Sequence, residues 1–425
     1  MALPSLRVEI DFSSGPSFGY PFLLDDAAYG ILDNNILADA PSDVVDITSQ
    51  VRRVSTRRGR NRLLSQFEAG TATVTLNDPN GDFNPQNPAS PYYGKLLPLR
   101  KIRIVAITDY AGDSIEIPLF SGYITTFDTN FYIGTNEDAT VTLQCVDGFR
   151  LLANVSTEVP PVPNCTAGQL SGTRVEELLD FAGFPNSMWA IQPGNSTMQA
   201  DPGGNRSVLQ AIQTVEQSEF GAFYMTPTGK ARFLQRSYVS QLADVFPIKY
   251  TDSITPAADE YPYTNLDIAY DDQLIINDVS VTRLGGTTQT VINQPSIDVF
   301  FYKSATRNDL LMETDAEALS QAQMIVASRD NASIRIDSMS LNLNSVVDEL
   351  NTLQNLSLDI YTLINIEKTV PGGSTINTEL FVQGVQHDIA PGQWNIKVYT
   401  AEPIIQAFIL DSTTQGVLDQ NVLTY

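Results

Sequence analysis

A single histidine, His387, and two cysteines, Cys145 and Cys165, are all that this 425-residue chain has of either type. One histidine excludes a His-rich zinc site and argues against a Ser-His-Asp triad. His387 stands in FVQGVQHDIAPGQW, a strand followed by a turn, where a structural or solvent-facing role is expected. Two cysteines in so long a chain do not make a disulfide scaffold, and whether they pair stays open. Cys145 lies in the alternating run VTLQCVDGF and Cys165 in the Pro-rich stretch EVPPVPNCTAG, which reads as a linker. Long apolar runs are absent too: none approaches the roughly 20 residues needed to span a bilayer. The N-terminal MALPSLRVEIDF alternates like a strand and lacks the apolar core of a signal peptide, so a soluble chain outside the general secretory route is expected. Basic residues are scarce, 25 Lys and Arg against 49 Asp and Glu, for a formal net charge of -24. Carboxylates are therefore abundant, but no spacing singles out a pair for glycan hydrolysis, and no catalytic residue is assigned.

What is present favours strands. Charged residues make up only 17% of the chain, with hydrophobic residues at 42%, and many short strands joined by turns suit that mixture better than long charged helices. LRVEIDF, VVDITSQVRRVSTRRG, GTATVTLND, KIRIVAIT, IPLFSGYITTFDT and ATVTLQCVDGF alternate at hairpin spacing, and predict an antiparallel barrel or sandwich over 1–155. Within GTATVTLND, Ala72, Val74 and Leu76 share one face. The segment between Ser13 and Ser42 reads as a long excursion. Helical spacing then appears in GTRVEELLDFAGF, at Val175, Leu178, Leu179 and Ala182, and in the stretch carrying Val208, Leu209, Ile212 and Val215. The hairpin FGAFYMTPTGKARFL follows, so 156–245 is expected to be a small α+β module. From 246 to 403 strands return around one helix, DLLMETDAEALSQAQMIVASRD, with Thr314 or Asp315 as its N-cap. The tail, 404–425, has no assignment. The expected fold class is mainly β: two antiparallel β-barrel-like domains flanking a helix-plus-hairpin module.

Against the acidic background, six arginines crowd into eleven residues: Arg52, Arg53, Arg57, Arg58, Arg60 and Arg62. Guanidiniums form planar, bidentate pairs with carboxylates and phosphates, so the cluster wants an ordered acidic partner. DNA would be approached under strong overall repulsion. TRRGRNRLLSQF is too short and polar for an interfacial membrane helix. The alternation around Val51 and Val54 suggests a strand running into an RGR turn, with its arginines paired to carboxylates of the same chain or of a neighbouring subunit.

Other motifs have plainer explanations. DPNGDF offers oxygens at Asp78, Asn80 and Asp82, but lacks the distal Glu and flanking helices of a calcium loop, and reads as a hairpin turn. Leu284–Gly286 and Pro371–Gly373 are turns, since no helix start or GK[ST] follows them. No metal or cofactor is called for.

The order and spacing of several of these pieces resemble the N-terminal region of phage minor tail proteins. They are the RGR after a strand, FEAG leading into a strand, NDPNGDFNP, PYYG, and the FSGYI strand. SEFGAFYMTPTGKARFLQR, AEALSQAQMIVASR and FVQGVQHDIAPGQW extend the resemblance over most of the chain. It implies a non-enzymatic baseplate or tail-tip hub with two related β-barrels per chain. Three chains would close a pseudo-sixfold ring joining the tail tube to the tip and passing tape-measure protein and DNA. Implied partners are further copies of the chain (a trimer), a distal tail or tube protein, the tape-measure protein and tip or fibre proteins. The implied location is the virion, after synthesis in the host cytoplasm. An acidic lumen would repel DNA phosphates, and the arginines would face a neighbour's carboxylates away from it. The other reading is a carbohydrate-binding tail-tip adhesin, supported by aromatics such as Tyr92, Tyr93, Trp189 and Trp394.

Overall fold

The computed structural model describes residues 3–402 except 14, 16–17, 19–42, 62–65, 131–138, 158–160, 239–245, 254, 347 and 373. Most of the 13–42 excursion, Arg62 and the tail lie outside the described residues. The chain is mainly β, as its composition predicts. Its largest sheet has 14 strands.

That sheet is built from two halves with similar wiring. In the first, the long strand Asp113–Asn130 pairs through its beginning with Arg100–Tyr110 and through its end with Thr140–Val146. Thr140–Val146 passes the ladder to Glu68–Asn77, and that strand to Val51–Gly59. In the second half the long strand Thr375–Ala390 pairs through its beginning with Leu363–Thr369 and through most of its length with Gln393–Ala401. Gln393–Ala401 continues to Arg335–Asn342, and that strand to Asn265–Ala269.

Each long strand carries a glycine near its change of partner. A Cβ on Gly122 would lie 2.5 Å from the carbonyl oxygen of Val146, and one on Gly384 would lie 2.9 Å from those of Arg58 and Arg60. Only glycine lets the neighbouring backbone come so close.

Neither half closes on itself as a barrel. Val51–Gly59 takes Thr375–Ala390 as its second neighbour, with Gly384 opposite Gly59 and Ile389 opposite Val54. The two β regions thus merge into one sheet, and one apolar core runs from Val8 and Ile10 through Val54, Val74 and Leu143 to Ile364, Val385 and Val398. The ladders are not all antiparallel either. Ile248–Thr251 runs parallel to Leu363–Thr369, and Asp278–Arg283 parallel to Ser304–Leu310, each pair joined by a long connection and not by a hairpin turn.

A second core joins helices Phe149–Asn154, Ser171–Phe181 and Val208–Glu219 to the hairpin Ala222–Met225 and Ala231–Leu234. Val175, Leu178 and Leu179 are buried as their spacing predicts. Ser207 and Gln210 form a capping box on Val208–Glu219. A third, smaller core lies between Asp315–Arg329, capped by Thr314 through the Glu317 N–H at 3.2 Å, and the strand Asp278–Arg283. Among the described residues no helix is long and apolar enough to cross a membrane.

Candidate assembly surface at the arginine strand

Val51–Gly59 sits at the seam between the halves, and period-2 alternation sends Val54, Thr56 and Arg58 inward. Gly59 then breaks the alternation. Its φ is +92°, and a Cβ there would meet the Gln383 carbonyl oxygen at 2.3 Å. The break turns Arg60 inward as well, so both arginines of the RGR motif are buried.

Arg58 ties the halves together. Its Nε donates to the Leu119 carbonyl at 3.0 Å, and its Nη2 reaches Asp359 at 2.9 Å. Asp147 lies in the same interior, accepting the Gly70 N–H at 2.6 Å and the Phe149 N–H at 3.0 Å. Burial pushes its carboxyl up to about 7, with the Arg58 charge opposing. Arg60 donates from Nε to Gln383 Oε1 at 2.9 Å and from Nη2 to the Tyr361 hydroxyl at 3.3 Å. Its guanidinium lies 4.2 Å from the Phe67 ring centroid, stacked on an aromatic group that includes Tyr224 and Tyr361. The field of Arg60 also reaches Glu216, a buried carboxyl pushed up to about 7 by desolvation. Glu216 accepts the Phe223 N–H at 3.1 Å.

The other arginines point out of the core. Arg57 is half-buried, donates to Asn61 at 2.6 Å, approaches Glu68 at 3.5 Å and lies over Tyr399. Arg52 and Arg53 are exposed, and no carboxylate pairs with them among the described residues. The island is therefore divided: Arg58 and Arg60 join parts of one chain, and Arg52 and Arg53 remain on the surface. Charge counting does not separate the two groups, whereas the glycine between Arg58 and Arg60 was the available signal.

Residues set aside on sequence grounds are structural. His387 is buried, its Nδ1 accepting the Trp394 indole N–H at 3.3 Å, and burial pushes its pKa down to about 3, so it is neutral. Both cysteines are free and buried. Asp78 accepts the N–H groups of Asp82 at 2.6 Å and Phe83 at 3.2 Å, which makes DPNGDF a self-capped turn. No cluster of three metal-ligating side chains occurs among the described residues. Of the aromatics, Trp394 is buried, Tyr92 stacks on Phe12 and packs at a tilt against Phe83, and Trp189 donates to the Phe184 carbonyl at 3.0 Å. Tyr93 is exposed.

Solved structures share the overall fold. The tail protein from Neisseria meningitidis MC58 superposes with a TM-score of 0.55 at 12% identity, over 95% of this chain and 98% of that one. The prophage MuSo2 43 kDa tail protein from Shewanella oneidensis gives 0.52 at 9% identity, over 85% and 96%. This chain has the fold of these tail proteins. At such identities the likeness is one of fold. No family model matches the sequence, and neither does any curated protein.

Proposed function

We propose that this chain is a structural hub of a phage tail tip or baseplate. It closes, as a trimer, a ring that joins the tail tube to the tip and passes tape-measure protein and DNA. The observation that carries this reading is the fold shared end to end with phage tail proteins. Supporting it is the seam chemistry. Two related β halves, 1–155 and 246–403, are locked to each other by Arg58 and Arg60. A chain built this way offers two similar halves at a fixed angle, which suits three copies matching a sixfold tube. The module at 156–245 packs around a core that also takes in Phe67, Phe149 and Leu152 from the first β region and Leu311 and Ile360 from the second, which anchors it to both.

The net charge of -24 suits a conduit for DNA, because a wall of carboxylates repels phosphate. Exposed Arg52 and Arg53 are then reserved for acidic groups of a neighbouring subunit. Nothing in this role calls for catalysis. Gold labelling of a tag on this chain, imaged on intact particles by negative stain, tests the reading. Label at the distal end of the tail tube is expected, and label on the capsid or along side fibres would refute it.

A further inference from the structure

Phe301 is 82% exposed, and its backbone lies at φ 61° and ψ 178°, a region that is essentially glycine's alone. Buried Asn277 holds it there. The Nδ2 of Asn277 donates to the Phe301 carbonyl at 2.8 Å and to Ser296 Oγ at 3.1 Å, while its Oδ1 accepts the Lys303 N–H at 2.8 Å. Val299, Tyr302 and Ile292 are exposed in the same short stretch. Leu99 repeats the pattern elsewhere. It is 43% exposed at φ 65°, held by its N–H donating to the Ile124 carbonyl at 2.7 Å, with Tyr93 and Leu97 exposed nearby in sequence. Among the described residues, Phe301 and Leu99 are the exposed large apolar side chains on left-handed backbone. A chain gains nothing for its own stability by straining its backbone to hold such groups in water.

The two patches carry opposite charge. Around Phe301 stand Asp298 on the helix Gln294–Phe300, Asp278, which is in register with Ile292 and Ser304, and Asp330, bonded to Asn293. Lys303 there is engaged by Asp272. Beside Leu99 stand Arg100 and Lys95, with Asp43 paired to Lys95.

We propose that the Phe301 patch of one copy docks on the Leu99 patch of the next, forming the head-to-tail contact between copies of this chain. A closed ring of identical chains needs two different, mutually complementary surfaces on each copy, and these two are complementary in charge and alike in apolar character. The proposal rests on the ring reading above and names the surfaces that close it.

Sedimentation and native mass measurement of the full chain test it. Phe301→Gly and Leu99→Gly each remove the side chain and relieve the backbone, so each variant should melt at the same or a higher temperature. Each should nonetheless assemble at least tenfold more weakly, and Tyr302→Ser, which leaves the backbone alone, should weaken assembly in the same direction. Asp298→Lys should weaken assembly, and adding Lys95→Glu should restore it. Wild-type assembly by Phe301→Gly and Tyr302→Ser would overturn this contact while leaving the ring standing, including where those variants lose binding to lipid vesicles or sugars instead. A wild-type chain that stays monomeric would overturn both.

Discussion

Arg58 and Arg52 lie in the same strand and carry the same charge, yet burial gives them different energetic roles. Removing one partner of a buried pair costs roughly 3–5 kcal/mol, because the other charge is stranded. Asp359 keeps some access to water, so Arg58→Ala should fall at the lower end, about 3 kcal/mol in urea denaturation. Arg52→Ala should stay within about 0.5 kcal/mol, as exposed substitutions do. Equal losses would contradict the division of the island. Glu216 adds a pH signature. Burial raises its carboxyl from 4.5 to about 7, so the folded chain holds a proton that the unfolded chain releases. That contribution is fully present below pH 4.5 and is lost as pH rises through about 7. Asp147 acts in the same sense, from 3.8 to about 7. His387 acts oppositely: its pKa falls from 6.5 to about 3, and its contribution is lost as pH drops below 6.5. Urea melts between pH 6.5 and 8 should therefore show stability declining with pH, and Glu216→Gln should flatten the slope. An unchanged slope in the variant would remove Glu216 from the account.

At the scale of elements, the two long strands do the same work with glycines placed alike. Gly384→Ala would force a methyl against the carbonyls of Arg58 and Arg60, an overpacking that costs about 1–3 kcal/mol. Chemical denaturation of the variant checks this, and a loss near zero would mean the seam has slack. Much of this level was legible in the sequence. Alternation marked the strands around Val74 and Leu143, 3.6-residue spacing marked both helices of the module, and the pair Thr314 and Asp315 marked the start of Asp315–Arg329, with Thr314 the cap. What escaped was either too short or non-local. The short helices Gln294–Phe300 and Glu349–Leu356 have too few turns to show a period. The parallel ladder between Ile248–Thr251 and Leu363–Thr369 joins segments more than a hundred residues apart, and alternation says nothing of which strand a strand will meet. The arginine motif was readable only in part, because inward and outward guanidiniums look the same until Gly59 is given its conformation.

For the molecule as a whole, the decisive fact is that the seam runs through the core instead of between two cores. Val54 and Ala72 from the first half pack in one cluster with Val385, Ile389 and Val398 from the second. Separating 1–155 from the rest would uncover one edge of Val51–Gly59 along the pairs it makes with Thr375–Ala390. The same cut would leave Arg58 without Asp359 and Arg60 without Gln383 and Tyr361. An unpaired apolar edge beside two buried cations is a template for aggregation, and the lost burial cannot be recovered locally. The fragment 1–155 expressed alone should therefore aggregate or unfold without a cooperative transition, whereas the full chain should lose both halves together in one transition followed by circular dichroism in urea. A soluble fragment with a sharp transition of its own would mean that each half completes its own core, and that the seam is a contact between finished domains.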